Sequence, residues 1–291
     1  MGEATEQGCK REASRLTYRI RKKERGWLII MERREPELRL FDSCEELDSC
    51  LADYVYQISE AAIRERGSFS LVLSGGDMPN RLGKLTRPPF LRTVDWSKWH
   101  VFWAEENVVP KRHPDSFYRQ AQEAFISKVP ILPAHVIPVS HGVPGESAAN
   151  NYEFSIRQQV RKRTVPVSPS SDCPQFDLVL LTLGTRCDVA SIYPNNPVLQ
   201  EDSQWVAWVS SNAPRESVTL TLPVINAAAN VAIVASGIDV ARPFLHVMMD
   251  QKPNRRLPAQ LVSPKDGKLV WFADASAASF FLRGSGTTAA T

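Results

Sequence analysis

The stretch that most constrains the fold is residues 176–194, FDLVLLTLGTRCDVASIYP. Residues 178–181 form an unbroken apolar run, with Asp177 before it and Gly184 soon after. A run of that length with no alternating polar side is expected of a strand buried on both faces. Such a strand needs cover above and below. Residues 189–193 then predict a short helix or turn, closed by Pro194. A loop between a buried strand and a helix lies at the carboxyl edge of an α/β sheet, where ligands usually bind. Here that loop carries Gly184, Thr185, Arg186, Cys187 and Asp188.

The rest of the chain repeats the alternation. Residues 37–41 alternate as a first strand. Ser43 with Glu46 three positions on makes a capping box. The helix it opens runs to about Arg66, with Leu47, Leu51, Val55, Ile58 and Ala62 on one face and Gly67 as its C-terminal glycine. Further strands are predicted at 68–73, 99–103, 205–210, 218–222, 231–235 and 269–272. Helices are expected after Gly76 (interrupted near Pro88 and Pro89), over 116–127 with Asp115 as cap, and over 147–163, 223–229 and 239–249. An Ala-rich helix should follow the last strand. Strands alternating with helices predict an α/β fold, a mostly parallel sheet covered on both faces.

The chain has 291 residues, enough for one large α/β domain. No internal repeat or linker divides it, so residues 31–283 read as a single domain. Residues 1–30 are rich in Lys and Arg but also hold Glu3, Glu6, Glu12 and Glu24. A transit peptide should be nearly free of acids. The segment reads as a disordered or loosely attached basic extension, and Met31 would make a natural start. Residues 284–291 read as a flexible tail. The net charge of +3 is too small to argue for a nucleic-acid or membrane partner. No apolar run is long enough to span a bilayer. The five cysteines are odd in number and lack C-x-x-C spacing, which fits reduced thiols in the cytosol and no metal site. Nothing in the sequence sets an oligomeric state.

Chemistry-bearing residues gather at three strand ends. Ser74, Gly75 and Gly76 could let backbone N–H groups approach an anion, although a plain tight turn reads the same way. Glu105 and Glu106 are adjacent, so on a strand only one of them faces a cleft. Arg186 and Asp188 share the central loop, where a solvated ion pair is the simpler reading.

Taken together, these stretches resemble the 6-phosphogluconolactonase family, in its plant cytosolic form, over about residues 35–280. LVLSGG at 71–76 looks like that family's first phosphate loop. VDWSKWHVFWAEENVV at 94–109 looks like its W-x-D-E-R-x-V segment. FDLVLLTLGTRCDVASIYP looks like its F-D-L-x-L-L-G-x-G-x-D-G-H-x-A-S-L-F-P. Blocks at 218–237 and 257–262 continue the match. The resemblance implies a three-layer α/β sandwich like that of the glucosamine-6-phosphate isomerases. It implies hydrolysis of 6-phosphogluconolactone, a phosphorylated sugar lactone, in the oxidative pentose phosphate pathway, with no metal or organic cofactor.

The departures fall on charged positions. The family's loop Asp, Gly and His are here Arg186, Cys187 and Asp188. Its D-E-R is Glu105, Glu106 and Asn107. Its Asn after Ser116 is Phe117, and two later basic positions are Ser217 and Val240. Carried over residue by residue, the resemblance implies Asp188 and Glu106 as catalytic candidates. It implies Ser74, Gly75, Gly76 and Gly184 as substrate and phosphate contacts, and Arg186, a replacement charge that stands at no phosphate-binding position of the family, is expected to help hold the phosphate. Water activated by Asp188 would attack the lactone carbonyl. The alternative is a non-catalytic relative that binds a sugar phosphate or a protein partner.

Overall fold

The apolar runs pair into a six-stranded, all-parallel sheet in a computed structural model that describes residues 20–23, 26–29, 36–210, 215–250 and 256–285. In chain order the elements are β1 (Ile20–Lys23), β2 (Gly26–Ile29), β3 (Glu37–Phe41), α1 (Cys44–Arg66), β4 (Phe69–Leu73), α2 (Met78–Arg81), α3 (Phe90–Thr93), β5 (Trp99–Trp103) and β6 (Glu105–Asn107). They continue with α4 (Phe117–Ala124), α5 (Gly145–Arg161), β7 (Leu178–Thr182), β8 (Val206–Val209), β9 (Ser217–Leu220), α6 (Leu222–Ile225), β10 (Asn230–Ala235), α7 (Ala241–Met249), α8 (Pro258–Leu261), β11 (Lys268–Asp274) and α9 (Ser279–Ser285).

The sheet order is β3-β11-β10-β7-β4-β5, and it forms the middle layer of a three-layer α/β sandwich. All of β4 is buried, as are residues 178–181 of β7, which explains their unbroken apolar character. From β4 the chain moves outward to β5; from β7 it moves the opposite way, to β10 and β11. Connections therefore diverge between β4 and β7, and the carboxyl ends of that pair form the crevice where α/β folds bind ligands.

Local chemistry accounts for the main supports. Ser43 Oγ accepts the Glu46 N–H at 3.2 Å, and Gly67 closes α1 at φ 76°. Leu47, Leu51, Val55 and Ala62 face inward from this helix as their spacing predicts. Trp99 anchors the β5 end of the core. Its ring lies 4.8 Å from Phe69 and 4.7 Å from Trp96.

Two expectations need correction. Residues 205–210 and 218–222 were expected to add to the parallel sheet. Instead β8 and β9 pair antiparallel with β6 in a separate three-stranded sheet. Helix α4 is shorter than 116–127 and is capped by Ser116 rather than Asp115: Ser116 Oγ accepts the Arg119 N–H at 3.2 Å, whereas Asp115 turns to Arg215. Residues 189–193, expected as a short helix or turn, form the turn. Within the expected extension, β1 and β2 form a hairpin paired with neither larger sheet. The rest of residues 1–30, and residues 286–291 of the expected tail, lie outside the described residues.

Candidate active site

The handover between the two sheets builds one side of the site. The Ala104 N–H donates to Leu73 O at 2.8 Å, holding β5 beside β4, while Ala104 O accepts from Leu220 N–H of β9 at 2.8 Å. The strand thus leaves one sheet for the other at Ala104. The next residue, Glu105, lands beside the end of β4. Its Oε1 accepts from Ser74 Oγ at 2.6 Å and from Gly75 N–H at 3.3 Å. Its Oε2 accepts from the Ser191 hydroxyl. Burial pushes the Glu105 carboxyl above its usual range and the Asp188 charge adds to this, while the three donors pull the other way.

The loop after β7 forms the opposite side. Gly184 N–H donates to Asp188 O at 2.9 Å, and Asp188 Oδ1 accepts the Arg186 N–H at 3.0 Å. The Asp188 carboxylate rests on the Cα of Gly184. A Cβ there would come within 2.1 Å of Oδ2, so the loop closes only over glycine. Burial raises the Asp188 carboxyl above the ordinary aspartate range, against the Arg186 N–H and guanidinium. The Arg186 guanidinium lies over the Tyr193 ring, 4.5 Å from its centroid. Among the described residues no ion pair joins it to the Asp188 carboxylate, and no hydrogen bond joins it to loop 74–76. The Tyr193 phenol is raised by burial and by the Asp188 and Glu105 charges, which places it in the field of both carboxylates.

Backbone strain is concentrated here. Cys187, Ala190, Ser191 and Asn195 all have positive φ, at 61°, 50°, 56° and 63°. Such residues cost about 1 kcal/mol or more each and persist where the surroundings hold them. Ala190 and Ser191 are the central residues of a turn closed by the Val189–Ile192 antiparallel bridge. Positive φ at both central positions is the type I′ arrangement, and it is the turn, not the helix, of the two alternatives expected after the loop. It also aims Ser191 at Glu105. The Cys187 thiol is buried against Pro243 O at 3.7 Å, and burial pushes it up to about 11. It is a packed side chain, not a nucleophile.

Glu106 is placed differently from the expectation. It is 2% exposed and faces the start of α4. It accepts from Phe117 N–H at 2.8 Å, Tyr118 N–H at 2.7 Å, Asn107 N–H at 2.9 Å and Ser116 Oγ at 3.3 Å. A carboxylate at a helix N-terminus satisfies donors that the helix cannot, and complements its dipole. His141 Nε2 lies 3.7 Å away, and its Nδ1 faces Val109 O at 3.2 Å. Burial outweighs the four donors and pushes Glu106 up to about 7.

The structure therefore gathers Ser74, Gly75, Gly184, Arg186 and Asp188 at one edge. It brings Glu105 there in place of Glu106, because the chain changes sheets one residue earlier. Gly76 follows in left-handed conformation at φ 67° and faces a hollow it shares with Asp77 and Lys128. Ser191 and Tyr193 join the site although the sequence reading did not select them. Phe117 is a further neighbour: a Cβ on Gly75 would lie 2.3 Å from its ring. Among the described residues no group of three or more His, Cys, Asp or Glu side chains is arranged to hold a metal ion.

Comparison with known proteins agrees with this architecture. The chain is 47% identical over 249 residues to Probable 6-phosphogluconolactonase 1 of Oryza sativa subsp. japonica, covering 84% of each chain. It is 47% identical over 249 residues to Probable 6-phosphogluconolactonase 1 of Arabidopsis thaliana, covering 84% of this chain and 92% of that one. The fold resembles the solved 6-phosphogluconolactonase from Trypanosoma brucei with a TM-score of 0.71 at 22% identity, over 84% of this chain and 98% of that chain. Residues 42–271 match the family described as glucosamine-6-phosphate isomerases/6-phosphogluconolactonase, and the chain belongs to that family.

Proposed function

We propose that the chain is a carboxylic ester hydrolase that opens 6-phosphogluconolactone to 6-phosphogluconate, acting in the oxidative pentose phosphate pathway. The observation that carries this reading is the Asp188 carboxylate, held on Gly184 at the divergence between β4 and β7. Asp188 takes a proton from a water molecule as that water adds to the lactone carbonyl carbon. The ring C–O bond then breaks, and the proton passes to the ring oxygen. An ordinary aspartate, with a pKa of about 3.9, is a weak base for this step. Burial raises Asp188 and moves it toward the range where general-base catalysis works best. Glu105 is a positioning residue in this scheme, tying Ser74 and Ser191 together from the two sides of the crevice.

Arg186 is the phosphate ligand proposed for this site. A hydrogen bond between charged groups contributes about 1.5–3 kcal/mol. Reaching the phosphate requires Arg186 to leave Tyr193, at a cost of about 0.5–1 kcal/mol. The proposed location is the cytosol. In support, rice relatives named chloroplastic are 40% identical to the chain, below the 47% of the relative named without that word.

The test is a lactone hydrolysis assay corrected for spontaneous ring opening. The wild type is expected to turn over and Asp188→Asn to fall to background. Activity persisting in Asp188→Asn would remove Asp188 as base. No turnover by the wild type would leave the alternative of a non-catalytic sugar-phosphate binder.

A further inference from the structure

We propose that this chain hydrolyses unphosphorylated sugar lactones about as well as phosphorylated ones, because its own side chains occupy the loop at residues 74–76. The inference rests on the lactone-hydrolase reading above and extends it to substrate class.

A Ser-Gly-Gly loop grips an anion through its hydroxyl and its backbone N–H groups. In this chain the Ser74 hydroxyl and the Gly75 N–H already donate to one oxygen of Glu105. The other oxygen is held by Ser191. A carboxylate thus sits in the cradle where an incoming phosphoryl oxygen would have to sit. The Phe117 ring closes the same loop from the α4 side, packed so tightly on Gly75 that no side chain fits between them. Beyond Gly76 the chain offers the Asp77 carboxylate, and the hollow there adds Glu123 beside Lys128.

The surrounding charge points the same way. Glu105 and Asp188 face the crevice together, and each raises the cost of bringing in a phosphate of charge about −2. Three cations are engaged elsewhere. Arg186 stacks on Tyr193, Arg215 pairs with Asp115, and Lys111 lies 4.3 Å from the Tyr118 ring centroid. Positions 107 and 217, paired across β6 and β9, are the neutral Asn107 and Ser217. The Ser217 hydroxyl is buried with no partner among the described residues. The crevice thus suits hydroxyl groups, which can donate to its carboxylates and accept from the Tyr193 hydroxyl.

The bonds made and broken are the same for either lactone: water oxygen to carbonyl carbon, and carbonyl carbon to ring oxygen. Only the grip on the remote end differs. Initial rates of the intact protein with glucono-1,5-lactone and its 6-phosphate, each corrected for spontaneous hydrolysis, test the idea. The expected kcat/KM values lie within about tenfold of each other, because the Glu105 and Asp188 charges offset what Arg186 gains on leaving Tyr193 for the phosphate. A preference for the phosphorylated lactone above about tenfold would overturn the proposal while leaving the lactonase reading intact. Turnover of neither lactone would sink the lactonase reading and this inference with it. Calorimetric titration with gluconate and 6-phosphogluconate reads the grip on the phosphate directly, with affinities within about tenfold expected and a larger gap contradicting the inference. Phe117→Ala should uncover Gly75 and raise the preference for the phosphorylated lactone at least about fivefold; an unchanged preference would contradict the closed-loop argument.

Discussion

At the scale of single residues, the site depends on what is missing from Gly184. Its bare Cα is the floor on which the Asp188 carboxylate lies. Gly184→Ala would put a methyl group into the space of Oδ2 and push the carboxylate off its position. We expect kcat to fall at least about tenfold, since a displacement of an ångström can cost more than that. The folded structure should persist, because the loop can yield outward. Measuring kcat beside a thermal melt checks this, and a fully active Gly184→Ala would show that Asp188 needs no such seat. The importance of the residue 184–188 loop was legible from its place after an apolar run. The roles of Ser191 and Tyr193 were not. Their arrival depends on a turn with two positive φ values at Ala190 and Ser191, and neither residue type advertises that conformation.

At the scale of elements, α4 and the strand handover decide which glutamate does what. Glu106 accepts three backbone N–H groups, two of them at the start of α4. Removing it leaves those donors without a partner. Glu106→Ala should therefore destabilise the fold by about 3 kcal/mol or more, read from denaturant midpoints. A loss below about 1 kcal/mol would mean that water replaces the carboxylate fully. The pH dependence follows from the sign of the shift. Burial raises Glu106 to about 7 in the fold, while the unfolded value is about 4.3. The folded state binds more protons between these values, so the Glu106 contribution to stability falls as pH rises from about 4 to about 7. His141, lowered by burial, acts in the opposite direction below its ordinary value. The melting temperature of Glu106→Gln relative to wild type isolates the glutamate. The gap should narrow as pH rises through this window, and a gap that widens would contradict the assignment. The adjacent acids themselves were legible in the sequence. Which one faces the crevice was not, because that depends on the sheet change at Ala104 and its bonds to Leu73 and Leu220.

At the scale of the whole molecule, alternation of apolar strands and helices carried most of the fold. Each buried strand is a local run, so its presence can be read without knowing its neighbours. Pairing partners are distant in sequence, and so β6, β8 and β9 gave no sign that they form their own sheet. Among the described residues the β1–β2 hairpin pairs only with itself. Deleting residues 1–30 should accordingly change the melting temperature by less than about 2 °C, and a larger drop would show that the segment packs on the domain. The central claim, that a seated and burial-raised Asp188 serves as base, is tested most directly by the pH profile of kcat/KM for lactone hydrolysis. The account predicts one acid limb, with its midpoint above the ordinary aspartate value of about 3.9 and no such limb in Asp188→Asn. A wild-type profile that stays flat down to about pH 4, or a limb that survives unchanged in Asp188→Asn, would contradict it.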